Sequence, residues 1–166
     1  VISTDNQIVN GKAGMKWGEF DVKAMVDGAK NDPSVIMWSL GNEIDEGVSG
    51  NTSHYLNLVD DLIKWVQEVD TTRPVTNGDN RKNTNPNAML SQINQKIYEA
   101  GGVVGMNYAN GDQTIAMHNT YSDWPLYGSE TASAVHSRGV YNTTGKDDNT
   151  LQMSEYDNDE AKVGWG

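Results

Sequence analysis

A chain of 166 residues can build one domain with a sizeable core, and its 23 Asp and Glu against 12 Lys and Arg leave a formal net charge of −11. That balance argues against nucleic acid or an anionic membrane surface as partner, and the acids are scattered rather than gathered in a tail. Cysteine is absent, which excludes disulfides, thiolate metal sites and thiol nucleophiles without choosing between the cytosol and secretion.

No stretch of about 18 apolar residues marks a membrane span, and residues 1–15 lack the charged start and apolar middle of a signal peptide. Residues 1–18 are polar, broken by Gly11, Gly14 and Gly18, and read as a loop without a core of its own. Between Glu19 and Lys30, Val22, Met25, Val26 and Ala29 fall on one helical face, with Asp21 as a cap candidate. Asp32-Pro33 punctuates the chain ahead of Val35–Leu40, an apolar run that reads as a strand buried on both faces and closed by Gly41. A polar loop over 45–51 leads to an amphipathic helix from Ser53 to Glu68. Its stripe is Tyr55, Val59, Leu62, Val66 and Val69, and Trp65 reads as packing. A short strand, Val75–Asn77, ends at Gly78. A second amphipathic helix follows from Asn87 to Ala100, stopped by Gly101-Gly102. Val103–Asn107 reads as a third strand, Gln113–Asn119 as a short helix with Asp112 as cap candidate, and Leu126–Ser129 as a fourth strand. Residues 131–166 are rich in Ser, Thr, Gly and Asp and read mostly as loop. This alternation predicts an α/β fold of about four parallel strands with intervening helices and right-handed crossovers.

Parallel α/β sheets and barrels place their chemistry at the carboxyl ends of strands. Two of these ends deliver carboxylates, Glu43 behind Asn42 and Glu130 behind Ser129, and a third delivers Tyr108 behind Asn107. A lone glutamate after a strand is ordinarily a solvated loop residue; a second one at another strand end changes the weighing. Across four strands of a flat sheet the two ends would lie roughly 14 Å apart, but a curved sheet lets them converge. Carboxyl groups about 5 Å apart allow nucleophile and acid/base roles, whereas about 6.5–9.5 Å leaves room for an inverting water. The Tyr108 phenol can donate to such a carboxylate, and the Asn42 amide can reach a sugar hydroxyl. Trp124 precedes the last strand, where sugar stacking and packing suit it equally, and Trp38 reads as core.

The run Asn31–Glu43, Asn-Asp-Pro-Ser-Val-Ile-Met-Trp-Ser-Leu-Gly-Asn-Glu, resembles the fourth-strand signature of glycoside hydrolase family 2. Trp124–Thr131, Trp-Pro-Leu-Tyr-Gly-Ser-Glu-Thr, resembles that family's seventh-strand nucleophile motif in the form found in β-galactosidases. The resemblance covers roughly Glu19 to the C-terminus. It implies part of a (β/α)8 TIM barrel, about strands four to seven, and a retaining mechanism with Glu43 as acid/base and Glu130 as nucleophile. It also makes Tyr108 the sixth-strand tyrosine that hydrogen-bonds the nucleophile. A complete barrel typically needs about 250 residues, so 1–166 is expected to be a partial catalytic barrel domain, inert alone. Its outer strands would expose edges open to self-association. The implied substrate is a terminal β-D-galactoside; the alternatives are another family 2 exo-glycosidase such as a β-glucuronidase, or a non-catalytic carbohydrate-binding piece. No cofactor is implied as required, although some β-galactosidases of the family bind magnesium beside the acid/base glutamate, through ligands expected upstream of this chain. His54, His118 and His136 show no metal-ligand spacing, and no Gly-rich phosphate loop is present.

Overall fold

The computed structural model describes the backbone of residues 6–9, 12–44 and 52–131, and the side chains of 17–44 and 52–131. The expected loop over 45–51, most of 131–166, and His136 lie outside the described residues. The centre of the fold is a four-stranded parallel sheet in the order β3(Trp38–Asn42), β4(Val75–Asp79), β5(Val103–Asn107), β6(Leu126–Glu130). Successive strands are neighbours, and each crossover carries a helix: α2(Thr52–Gln67), α3(Met89–Glu99) and α4(Gly111–Thr120), with α1(Trp17–Ala29) ahead of β3. This is the strand–helix alternation of a TIM barrel over four of its repeats.

The side-chain period of two divides each strand between two faces. Trp38 and Val75 turn toward the helices and join Val26, Val59, Ile63, Val66, Leu90, Ile93 and Ile97 in one core; Val104 and Met106 join Met117 and Trp124 in a second. The other face is polar and glycine-containing. Thr76 Oγ1 lies 3.3 Å from the Tyr127 hydroxyl, two strands away, so the sheet is concave on that side. The stripes that predict α2 and α3 are those buried, and Trp65 is 3% exposed within the helix layer. Gly101, at φ 77°, lets the Gly102 N–H return to the Ile97 carbonyl at 2.8 Å, ending α3 where expected.

Three local expectations need correction. Residues 6–9 and 12–16 are not loop: β1(Asn6–Val9) and β2(Lys12–Lys16) pair antiparallel, with Val9 opposite Lys12. Asn10-Gly11 between them is the dipeptide that favours a two-residue hairpin connection. The first parallel strand begins at Trp38, not Val35, and is not buried on both faces: Ile36 is 70% exposed, and Ser39 is exposed as well. As the sheet's edge, β3 has a ladder partner on one side only, and the Val35 carbonyl is taken by Arg73 Nε at 2.6 Å. Finally, α4 starts at Gly111 behind Asn110, because Asn110 and Gln113 form a reciprocal capping box, leaving Asp112 in the first turn.

Candidate active site

Three of the four strands end in one cluster. The chain leaves β3 through Asn42 and Glu43, β5 through Asn107 and Tyr108, and β6 through Glu130. Consecutive strand residues should face opposite ways, yet Asn42 and Glu43 both reach the same amide. Two features break the alternation. The β3–β4 register shifts between Ser39 and Asn42, and the β5–β6 register between Met106 and Asn107; such irregularities re-aim side chains. Glu43 and Tyr108 also adopt left-handed backbone, φ 48° and 56°, a conformation that costs a non-glycine residue about 1–2 kcal/mol. Both are tied to a neighbouring strand, Glu43 N–H to the Gly78 carbonyl at 2.9 Å and Tyr108 N–H to the Glu130 carbonyl at 2.7 Å.

At the centre is Asn107, whose side chain is fully buried. Its Nδ2 lies 2.8 Å from Glu43 Oε1, 2.9 Å from Glu130 Oε1 and 3.0 Å from Asn42 Oδ1. Ser129 donates its hydroxyl to Asn107 Oδ1 at 2.6 Å, and the Tyr108 phenol donates to Glu130 Oε2. Because two bonds meet on one nitrogen, Glu43 Oε1 and Glu130 Oε1 are at most about 5.7 Å apart, against roughly 14 Å for flat-sheet strand ends. The remaining strand, β4, contributes room. A Cβ on Gly78 would stand 2.2 Å from Asn42 Oδ1 and 2.8 Å from Asn107 Oδ1, so only glycine lets the two amides meet over β4.

Lys82, on the loop after β4, donates to the Asn107 main-chain carbonyl and, at 3.3 Å, to that of Asn80. Burial pushes its ammonium below the usual lysine value; the Asp79 and Glu43 carboxylates act in the opposite sense, and Arg81 in the same one. A half-buried cation therefore lies beside the carboxylate cluster of a strongly acidic chain.

Of the residues expected at the site, Glu43, Glu130, Asn42 and Tyr108 are brought together. Trp124 is not. It sits at the opposite end of β6 from Glu130, six residues or roughly 20 Å away along an extended strand, and is 5% exposed. Its ring stacks on Tyr121 with centroids 3.8 Å apart, and its Nε1 donates to Gln95, so packing accounts for its placement. Asn107 and Ser129, named in the sequence only as strand-end neighbours of Tyr108 and Glu130, join the site with roles of their own, and Lys82 is an addition. Among the described residues no group of three or more His, Cys, Asp or Glu is placed to hold a metal ion.

The comparisons agree with the fold. Residues 15–156 match the family model described as glycosyl hydrolases family 2, TIM barrel domain. Beta-galactosidase BoGH2A of Bacteroides ovatus is 28% identical over an alignment of 192 residues, covering 91% of this chain and 21% of that protein. The chain thus spans about a fifth of the length of this curated relative. With the matched segment containing the whole parallel sheet and both strand-end glutamates, the chain belongs to the TIM barrel domain family of the family 2 glycosyl hydrolases.

Proposed function

We propose that the full-length protein containing this chain is a retaining exo-β-glycosidase that cleaves terminal β-D-galactosides. In this reading Glu130 is the nucleophile, Glu43 the acid/base, and Asn42 and Tyr108 hold substrate and nucleophile. The observation that carries it is the convergence of Glu43 and Glu130 on one Asn107 nitrogen, which caps the gap between their nearest oxygens at about 5.7 Å. That span supports the roughly 5–5.5 Å arrangement of retaining enzymes rather than the wider inverting one.

In the first step a Glu130 carboxylate oxygen bonds the anomeric carbon as the glycosidic bond breaks, and Glu43 passes its proton to the departing oxygen. In the second, Glu43, now ionised, takes a proton from water while that water's oxygen attacks the anomeric carbon and releases Glu130. Tyr108, donating to Glu130 Oε2, holds that carboxylate in place for attack on the anomeric carbon. Galactose as the sugar rests on the likeness to the Bacteroides ovatus enzyme and on the motif around Glu130.

The test is to incubate the full-length gene product with a 2-deoxy-2-fluoro-β-galactosyl inactivator and digest it. The expected result is one fluorogalactosyl adduct on the peptide carrying Glu130, with release of the β-anomer from an unmodified substrate. An α-anomeric first product, or an adduct on another carboxylate, overturns the mechanism. Hydrolysis of an aryl β-glucuronide in preference to the galactoside overturns the sugar alone.

A further inference from the structure

The residue at the centre of the cluster is neither carboxylate. We infer that Asn107 is a positioning residue that sets the geometry of both glutamates and the orientation of Asn42 at once, and that Ser129 fixes the orientation of Asn107. The inference rests on the reading above.

A primary amide has two N–H donors on one side and a carbonyl acceptor on the other. Turned the other way, the Asn107 carbonyl would confront the Glu130 carboxylate at 2.9 Å and the Asn42 side-chain carbonyl at 3.0 Å, both acceptors. Only the observed orientation is attractive, and the 2.6 Å bond from Ser129 locks it by giving Oδ1 its own donor. With the side chain fully buried, water cannot substitute for either partner.

The lock then propagates. Because Asn107 donates to Asn42 Oδ1, the NH2 of Asn42 points away from Asn107, as a donor rather than an acceptor. Asn42 is exposed, so that donor is available to a hydroxyl next to the reacting carbon. Two hydrogens also serve three acceptors, so each contact is partly shared, and a change at any one partner is felt by the others. Lys82 holds the same residue from behind, through its main-chain carbonyl. Being buried, Asn107 acts through these groups rather than by touching the sugar.

The experiment uses the full-length gene product and its Asn107→Asp, Ser129→Ala and Ser129→Thr variants. Asn107→Asp keeps shape but replaces the donor with an acceptor beside two carboxylates. The expected result is a fall in kcat of about a hundredfold per active site, the scale of an ångström-sized misplacement, with active sites counted by the fluorosugar. The distinctive readout is the preference in kcat/KM for an aryl β-galactoside over its 2-deoxy analogue. It is expected to shrink about tenfold, the worth of one hydrogen bond, in both Asn107→Asp and Ser129→Ala, and to return in Ser129→Thr. A merely structural asparagine would lower the melting temperature or the number of active sites and leave that ratio unchanged; this result overturns the inference. If Asn107→Asp fails to fold, the Ser129 pair decides alone. If the wild type prefers another sugar, the same ratio is measured with that glycoside and its 2-deoxy form, so failure of the sugar assignment is distinct from failure of this inference. A crystal structure of Ser129→Ala in which Asn107, Asn42 and both glutamates keep their places and partners also overturns it, whatever the activity.

Discussion

At the scale of single residues, the site works by crowding polar groups over positions that have no side chain. Glu43 as acid/base makes a sharp kinetic prediction. General acid assistance is worth roughly 10²–10⁴, but only where the leaving oxygen needs a proton. In Glu43→Gln, kcat/KM for a phenyl β-galactoside is expected to fall by about that factor, and for a dinitrophenyl β-galactoside to change little. The second step still lacks its base, so kcat for the dinitrophenyl substrate should fall and be restored by azide, which needs none. Equal losses on both substrates without azide rescue would assign Glu43 another role. Gly78 makes the complementary case, since it contributes only absence. A methyl there would overlap Asn42 Oδ1 at 2.2 Å, and the near end of that contact is an amide already engaged by Asn107. Gly78→Ala is therefore expected to cost about 1–3 kcal/mol of stability through overpacking and about a hundredfold in kcat/KM through displacement of the amides. Thermal melts and steady-state rates on one preparation check both.

At the scale of elements, the edge strand β3 is held at its entrance by side chains. Trp38 Nε1 donates to Asp70 Oδ2 at 3.0 Å. Asp70 Oδ1 accepts from the Thr72 hydroxyl at 2.6 Å and its N–H at 2.8 Å, and Arg73 joins Asp70 Oδ2 at 2.8 Å while gripping the Val35 and Asp32 carbonyls. The Thr72 hydroxyl and amide, aided by Arg73 and Trp38, hold the Asp70 carboxyl well below the usual carboxylate range, against the effect of desolvation. The folded state thus binds this proton less readily than the unfolded chain. The contribution is fully present above an unfolded aspartate value of about 3.9 and is lost as pH falls below it. Chemical denaturation at pH 6 and at about pH 3 should show a smaller loss of stability in Asp70→Asn than in wild type; parallel curves would remove Asp70 from acid unfolding. The same elements show what is legible in sequence. Helices α2 and α3 are readable because burial of one face writes a period into Tyr55–Val69 and Met89–Ile97. The start of β3 is not, because Val35–Met37 look as apolar as a buried strand while their place is set by Arg73, 38 positions away from Val35. The pairing of 6–9 with 12–16 and the Asn110 cap do carry local signals, Asn10-Gly11 and Asn-x-x-Gln, which a reading guided by apolar periodicity passes over. Glu43 and Glu130 are legible as strand-end carboxylates. Asn107 has no such mark, since its role exists only once curvature brings three strand ends within reach of one nitrogen.

At the scale of the molecule, two opposing effects decide how the 166-residue chain behaves when expressed by itself. The described parallel sheet has two outer strands, β3 and β6, each with one ladder partner, and Ile36 and Met25 are 70% and 52% exposed near the β3 side. Unpaired edges with apolar flanks favour pairing with another copy. Against this stands the net charge of −11, which repels like chains over a Debye length of about 10 Å at 0.1 M salt but only about 3 Å at 1 M. The isolated chain is therefore expected to be largely monomeric in dilute buffer and to associate as salt is raised. It is expected to stay inactive throughout, since the described sheet supplies four parallel strands where a closed TIM barrel has eight. Light scattering coupled to size exclusion, run from 0.02 to 1 M sodium chloride (roughly the range over which screening of exposed charge goes from weak to complete), separates the effects. Mass that rises with salt supports edge pairing held off by charge. Mass that falls with salt means the copies are joined by ion pairs, and turnover of an aryl galactoside by the monomer would mean that four strands suffice to enclose the sugar.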